Sequence, residues 1–330
     1  MNEEKIKFSI ICPIYNSQAF IKDCIESVIE QKYSNWELVL INDGSTDDSG
    51  DICKTYSKKD KRIVLIDQKN TGQFIARLNA IKKISGDYVL FLDSDDSLET
   101  NALETLYSLL SKDKIDIVWF SYNYSTPQIV NQYYLAERDE IISNKPLEEL
   151  FGKRIGFFLW DKCFSRELFE GLNVKVDFKF SNFAEDTFMV YLLSRNAKTI
   201  QIINKKLYHY RYNDNSKVHQ ISRIDQIGRD YIYSYIYSNI FQHVNVEKNI
   251  FNVYLEKYID LVFKVIMLSR GRNYYKDIKY VYKTYNNKYQ IYFGEYIKSK
   301  KKRLVFSFYK KRMFVMAKIA AILILQNDFD

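Results

Sequence analysis

Glycine is scarce in this 330-residue chain, with ten residues and no cluster among them. Neither G-x-G-x-x-G nor G-x-x-x-x-G-K-[S/T] occurs, so both nucleotide fingerprints built on glycine-rich loops are missing. A phosphate bound here would not rely chiefly on backbone amides for its cradle. Cysteine is as thin. Cys12, Cys24, Cys53 and Cys163 are scattered with no C-x-x-C, and they read as reduced core thiols of a cytoplasmic protein rather than a disulfide framework. Long apolar runs are lacking too. Met313 to Leu325 carries one charge, but as a helix it spans only roughly 20 Å against a hydrocarbon core of roughly 30 Å. Met1 to Lys7 is charged and the apolar stretch behind it is short, which argues against a cleavable leader. The chain shows no internal repeat and no low-complexity linker, and its length allows one large domain or two.

What the chain does have is Asp93-Ser94-Asp95-Asp96 directly behind the apolar run Tyr88-Val89-Leu90-Phe91-Leu92. Such a run reads as a buried strand. Three carboxylates packed at its end repel one another unless a cation sits among them. Hard divalent cations take carboxylate oxygens and commonly bridge protein to phosphate, so the pattern suggests a metal–phosphate site. The plainer alternative is a solvated turn that caps a helix starting near Ser97-Leu98-Glu99.

The surrounding sequence alternates between two hydrophobic periods from residue 8 to residue 120. Phe8 to Cys12 reads as a strand ended by Pro13, and Ser17 as the cap of a helix carrying Phe20, Ile21, Cys24, Ile25 and Val28 on one face. Glu37 to Ile41 is a second strand, broken at Asn42-Asp43-Gly44-Ser45, and Ile52, Cys53 and Tyr56 mark the helix behind it. Arg62 to Ile66 is a third strand, and 72–84 a helix closed by Gly86. After the fourth strand, a helix near 98–111 and a strand over Ile115 to Phe120 complete the series. This alternation predicts an α/β fold: a mostly parallel sheet flanked by helices, with ligands beyond the carboxyl ends of the strands. Asn16, Asp43, Asn70-Thr71 and Asp93 to Asp96 should converge on that edge.

Five segments then match a known pattern in order. Tyr15-Asn16-Ser17, Ile41 to Asp47, Asn70-Thr71-Gly72, Ala76-Arg77-Leu78-Asn79-Ala80 and Phe91 to Asp96 together resemble the inverting family 2 glycosyltransferases of GT-A (Rossmann-like) fold. More loosely, Leu159 to Lys162, Phe183 to Asp186 and Tyr208-His209-Tyr210-Arg211 resemble elements of bacterial members that build surface polysaccharides; the likeness fades near residue 216. The resemblance implies that Asp43 binds the nucleotide base, with Pro13 to Tyr15 lining its pocket. It makes Asp93 and Asp95 the metal-binding pair for Mn²⁺ or Mg²⁺, with Ser94 and Asp96 beside the donor and Arg77 near the diphosphate or the nucleotide. The family often reads Ala-Arg-Asn where this chain has Ala-Arg-Leu-Asn, which leaves the role of Asn79 open.

Inverting transfer needs one base for the acceptor hydroxyl. Asp186 resembles the family's base, with Glu185 beside it; the same pair would suit the first turn of the helix that Thr187 to Leu193 predicts. His209 could be a third metal ligand or a phosphate contact. Arg211 could pair with the diphosphate or with a surface acid. Trp160 could offer its face to an acceptor sugar, with Lys162 and Asp161 bonding the hydroxyls, or pack in the core beside Phe157 and Phe158.

The net charge of +8 is concentrated late. Lys298, Lys300 to Arg303 and Lys310 to Arg312 interleave with Leu304 to Phe308 and Met313 to Leu325. A basic, apolar terminal helix suits peripheral contact with an anionic membrane through 298–325, on the inner face of the cell membrane; docking on its own domain or a second subunit is the alternative. A basic run could also serve nucleic acid, but no nucleic-acid module accompanies it. Residues 220–295 are rich in aromatics at helical spacing, as in Tyr254, Tyr258, Leu261 and Val262, and read as helix packing. The expected organisation is a catalytic domain over 1–216 and a helical region over 217–330. The expected activity is metal-dependent, inverting transfer from a nucleotide-sugar, a UDP-sugar first, to a surface-polysaccharide or lipid-linked acceptor. A sugar-phosphate nucleotidyltransferase or a non-catalytic glycan-binding scaffold are the competing classes, and a homo-oligomer stays open.

Overall fold

The computed structural model describes residues 6–125, 130–133, 141–153, 157–172, 184–213, 300–311 and 313–317, with Ile236, Val262, Ile266 and Ile319. The chain divides into two compact units. One comprises 1–150, 156–175 and 189–220; the other comprises 151–155, 176–188 and 221–330. Two internal segments belong with the second unit, and one of them carries Glu185 and Asp186.

The first unit is built on one mixed sheet. Strands β1 (Phe8–Ile14), β2 (Trp36–Asn42), β3 (Ile63–Asp67) and β4 (Tyr88–Phe91) run parallel in the order β3-β2-β1-β4. Helices α1 (Ile21–Ile29), α2 (Ser49–Lys59) and α3 (Gln73–Ile81) connect them. The apolar positions read from the sequence are those that α1 buries: Ile21, Cys24, Ile25 and Val28. Strands β1, β2 and β4 are buried almost throughout, which is why their sequences are nearly continuous apolar runs.

Beyond β4 the sheet departs from the expected parallel series. A short β5 (Ser97–Leu98) and α4 (Ala102–Leu110) lead to β6 (Ile117–Ser125), which does not lie beside β4. Strand β9 (Lys162–Ser165) enters between them, antiparallel to both. Strands β7 (Val130–Tyr133) and β8 (Ile141–Ser143) pair antiparallel with β6 and with β10 (Ile200–Arg211). The long β10 runs parallel to β6 and antiparallel to β5. Only the first four strands therefore form the expected parallel sheet.

Local departures have local reasons. Pro13 does not end β1, which runs to Ile14 beside β2. Pairing with β4 stops at Ile11, so the missing N–H of Pro13 interrupts no ladder on that side. Ser17 does not cap α1 with its side chain; its carbonyl accepts from the amides of Phe20 and Ile21 instead. Helix α3 ends at Ile81, and Gly86 closes nothing. Its amide donates to Ser9 Oγ and Glu37 Oε1, and a Cβ there would lie 2.7 Å from the Lys7 carbonyl and the Ser9 amide. Gly86 thus permits a close backbone approach.

All four cysteines are buried thiols. Helix α5 (Glu185–Asn196) begins with the two acids that the sequence placed at a helix start. In the second unit, α6 (Lys300–Lys310) is followed by helical residues over 314–317. Val262 is helical and buried, whereas Tyr254, Tyr258 and Leu261 lie outside the described residues. No helix among the described residues is long and apolar enough to cross a membrane.

Candidate active site

The acidic turn leaves the sheet at its switch point, where the chain returning from β3 crosses β1 to form β4. The Leu92 amide still donates to the Ile11 carbonyl at 2.9 Å; then the Asp96 amide donates to the Asp93 carbonyl at 3.0 Å and closes the turn. The chain does not enter a helix here, because Ser97 and Leu98 pair with His209 and Tyr208 of β10. Helix α4 starts only at Ala102, so the helix-cap alternative is set aside.

Each of the three carboxylates has its own partner. Arg77, 2% exposed on α3, donates from Nη2 to Asp93 Oδ1 at 2.9 Å. Asn213 donates from Nδ2 to Asp95 Oδ2 at 3.1 Å. Asp96 is buried, and accepts from the Tyr208 hydroxyl at 2.7 Å and the Arg211 amide at 2.8 Å. The same hydroxyl accepts from the Asp93 amide at 3.1 Å, so one buried tyrosine spans the turn. Burial, followed by the charge of Asp93, holds the Asp95 carboxyl above its ordinary range. Burial and then Asp93 and Asp95 push Asp96 up further, against the two hydrogen bonds that favour its charge. The Arg77 and Arg211 guanidinium groups do not outweigh burial and the crowding of the three acids, an excess of negative charge that suits a hard cation.

The neighbouring strand ends are tied to this turn and to one another. Ser94 Oγ lies 2.6 Å from Ser17 Oγ, joining the segments behind β4 and β1. Asn16, at φ 50°, accepts the Thr46 amide on its side-chain oxygen at 2.8 Å. Asp47 accepts the Gln18 amide at 3.0 Å. Asp43 is buried behind β2 and organises the β3–α3 loop. Its Oδ1 accepts from the Thr71 amide and Gln68 Nε2, both at 2.8 Å, and its Oδ2 from the Gly72 amide at 2.9 Å. Asn79, whose role the sequence left open, donates to Gln68 Oε1 at 3.0 Å and so braces that loop. Of the base-pocket residues, Pro13 is buried in β1 and Tyr15 is 45% exposed.

Other expected site residues lie differently. Trp160 is buried and cannot offer an open face to a sugar: it stacks on Tyr208 (4.7 Å), Phe158 (4.9 Å) and Tyr210 (5.4 Å). Lys162 is fully buried as well. Its ammonium donates to Asp161 and to the Phe158 carbonyl and sits 4.8 Å from the Trp119 ring. A sheltered ion pair of this kind is structural, and the acceptor roles of Trp160 and Lys162 are withdrawn. The Arg211 guanidinium donates to Asp23 Oδ2 at 3.2 Å, the surface-acid alternative, while its backbone serves the turn. His209 is half-buried on β10. Among the described residues no three His, Cys, Asp or Glu side chains are grouped to hold a metal ion, so His209 does not complete a set with Asp93 and Asp95. The carboxylates of Asp93 and Asp95, bonded to Arg77 and Asn213, are hard oxygen donors of the kind a divalent cation takes. Glu185 is buried and Asp186 half-buried, both in the second unit.

Tyr208, Asn213 and Gln68 were not singled out as site residues by sequence, and Ser17 was read as a helix cap rather than as the partner of Ser94. Tyr208 had one signal, its place in the Tyr-His-Tyr-Arg segment, and its hydroxyl meets both the Asp93 amide and the Asp96 carboxylate.

The profile of "Glycosyl transferase family 2" matches residues 9–171. Glycosyltransferase GlyA of Streptococcus pneumoniae is 36% identical over 218 residues, 62% of this chain but 30% of GlyA. Glycosyltransferase GlyG of the same organism is 30% identical over 214 residues, 62% of this chain and 70% of GlyG. The crystal structure of S. aureus TarS 1-349 superposes with a TM-score of 0.67 at 17% identity, covering 98% of this chain and 92% of that one. The same TarS fragment in complex with UDP-GlcNAc gives a TM-score of 0.61.

Proposed function

This chain belongs to glycosyltransferase family 2, and on that premise we propose that it transfers a sugar from a UDP-sugar to a hydroxyl of a surface-polysaccharide or lipid-linked glycan, inverting the anomeric carbon. The observation that carries the reading is the acidic turn at the sheet's switch point, with Arg77 bonded to Asp93 and the ends of β1, β2 and β4 tied around it. The TarS fragment of like fold was solved with UDP-GlcNAc, which makes a UDP-sugar the first donor to try. The acceptor class rests on the polysaccharide-type segments at 159–162, 183–186 and 208–211.

Asp93 and Asp95 would hold Mn²⁺ or Mg²⁺, and a diphosphate would supply further oxygens. When bound, the cation stabilises negative charge on the departing diphosphate. The remaining work falls to the chain. Arg77 orients Asp93; Asn213 and Tyr208 hold the turn; Asp43 fixes the loop that borders the nucleotide base. In the transfer step the acceptor oxygen bonds to the anomeric carbon from one face. The bond to the diphosphate oxygen breaks on the other, and the hydroxyl proton passes to the carboxylate we assign to Asp186.

Full-length protein incubated with UDP-sugars and membrane-derived glycan acceptors should release UDP together with a product of inverted configuration. Asp186→Asn should still bind donor and lose transfer by roughly 10²-fold or more. If Glu185→Gln alone has that effect, the base is Glu185. Release of pyrophosphate in place of UDP would overturn the transfer reading.

A further inference from the structure

Among the described residues, large apolar side chains left exposed are concentrated over 304–319. Five of the ten among the described residues, Leu304, Met313, Val315, Met316 and Ile319, fall within sixteen positions. They belong to an element with a buried side of its own: Val305, Tyr309, Phe314 and Ala317 are buried, and the Tyr309 and Phe314 rings lie 6.1 Å apart. The sequence alternatives of docking and of outward contact are therefore divided between two sides of one segment. One side is already packed. The other presents methionine, valine, leucine and isoleucine to solvent.

Charge decides what could cover it. Between Glu295 and Asp328 no acid occurs, while Lys298, Lys300, Lys301, Lys302, Arg303, Lys310, Lys311, Arg312 and Lys318 contribute nine positive charges. Arg303 and Lys311 are exposed next to Leu304 and Met313. A second copy of this segment would bring nine like charges against nine, and an acid-free basic segment of this kind complements a sheet of anionic headgroups. We propose that this face docks on an anionic lipid surface: Leu304, Val315, Met316 and Ile319 enter the headgroup–acyl boundary and Arg303 and Lys311 meet the phosphates. This goes beyond the transfer reading and does not depend on it.

The test is flotation of the full-length protein with vesicles of pure phosphatidylcholine or of phosphatidylcholine and phosphatidylglycerol at seven to three. Binding should require phosphatidylglycerol and weaken as salt rises. Arg303→Glu with Lys311→Glu should lower partition by about 25-fold, at about fivefold per cation removed. Val315→Ser, Met316→Ser and Ile319→Ser together should lower it by roughly tenfold or more with an unchanged melting temperature, since all three are exposed. Equal partition onto both vesicle types, or none by the wild type, would overturn the proposal. So would a triple-serine variant that binds vesicles normally but sediments at half the wild-type mass, because a second copy would then be the occupant.

Discussion

Asp93 bonded to Arg77, Asp95 to Asn213 and Asp96 to Tyr208 give three carboxylates within four residues three separate supports. The supports are unequal in kind. Asp96 accepts two hydrogen bonds deep inside the protein and anchors β10, whereas Asp95 keeps one neutral partner and Asp93 one guanidinium. Tyr208 matters most for the turn's shape, because its hydroxyl both accepts from the Asp93 amide and donates to Asp96. In Tyr208→Phe the Asp93 amide loses its acceptor and the Asp96 carboxylate one of its donors. Stability should fall by about 1–3 kcal/mol in urea unfolding, with weaker Mn²⁺-dependent binding of UDP. Unfolding and UDP binding both at wild-type levels would remove Tyr208 from the account. Composition made the acids visible at once, since three carboxylates behind an apolar run stand out in any reading. Their partners were not visible: Tyr208 and Asn213 lie more than a hundred positions away, and only β10's register brings them in.

At the scale of elements, the two ends of the parallel sheet serve different purposes. The carboxyl ends gather the acidic turn; the amino ends are fastened by Glu37. Its carboxylate accepts from Lys7 Nζ (2.8 Å), Ser9 Oγ (2.6 Å), Ser85 Oγ (2.8 Å) and the amides of Ser85 and Gly86, joining the starts of β1 and β2 to the approach to β4. Burial alone would raise this carboxyl, but the bonds from Lys7, Ser9 and Ser85 together outweigh it and hold the group down at about 2. A depressed carboxyl stabilises the fold fully above the unfolded value near 4.5 and loses that contribution as pH falls toward 2. The shift corresponds to roughly 3 kcal/mol. The gap in melting temperature between wild type and Glu37→Gln should thus be widest above pH 5 and narrow steadily toward pH 2. A gap that stays constant over that range would contradict the role given to the charge. The helix faces and the first four strands were legible because burial on one or both sides imposes a clear period. Strand β9 was not: Lys162-Cys163-Phe164-Ser165 is short, starts with a buried lysine and follows Trp160, so no period marks it as the strand between β4 and β6.

For the whole molecule, the division into two units shows how far sequence order can mislead. The segment with Glu185 and Asp186 lies before β10 in the chain, yet it clusters with the C-terminal residues rather than with the sheet. A cut placed where the family likeness fades could not reveal this, because it treats the chain as two consecutive pieces. Family membership and the GT-A-like fold were legible from five short motifs in order, each placed at a strand end by the α/β alternation. Acceptor contacts were not, since Trp160 and Lys162 look available as letters and are buried as side chains. The central claim is that Asp93 and Asp95 recruit a nucleoside diphosphate through a divalent cation. It is tested most directly by calorimetric titration of UDP into the full-length protein, first with Mn²⁺ and then with EDTA, in wild type and Asp95→Ala. The account predicts UDP binding that needs Mn²⁺ and is lost in Asp95→Ala. Wild-type binding that persists unchanged in EDTA, or an Asp95→Ala variant that binds as wild type does with Mn²⁺, would contradict it.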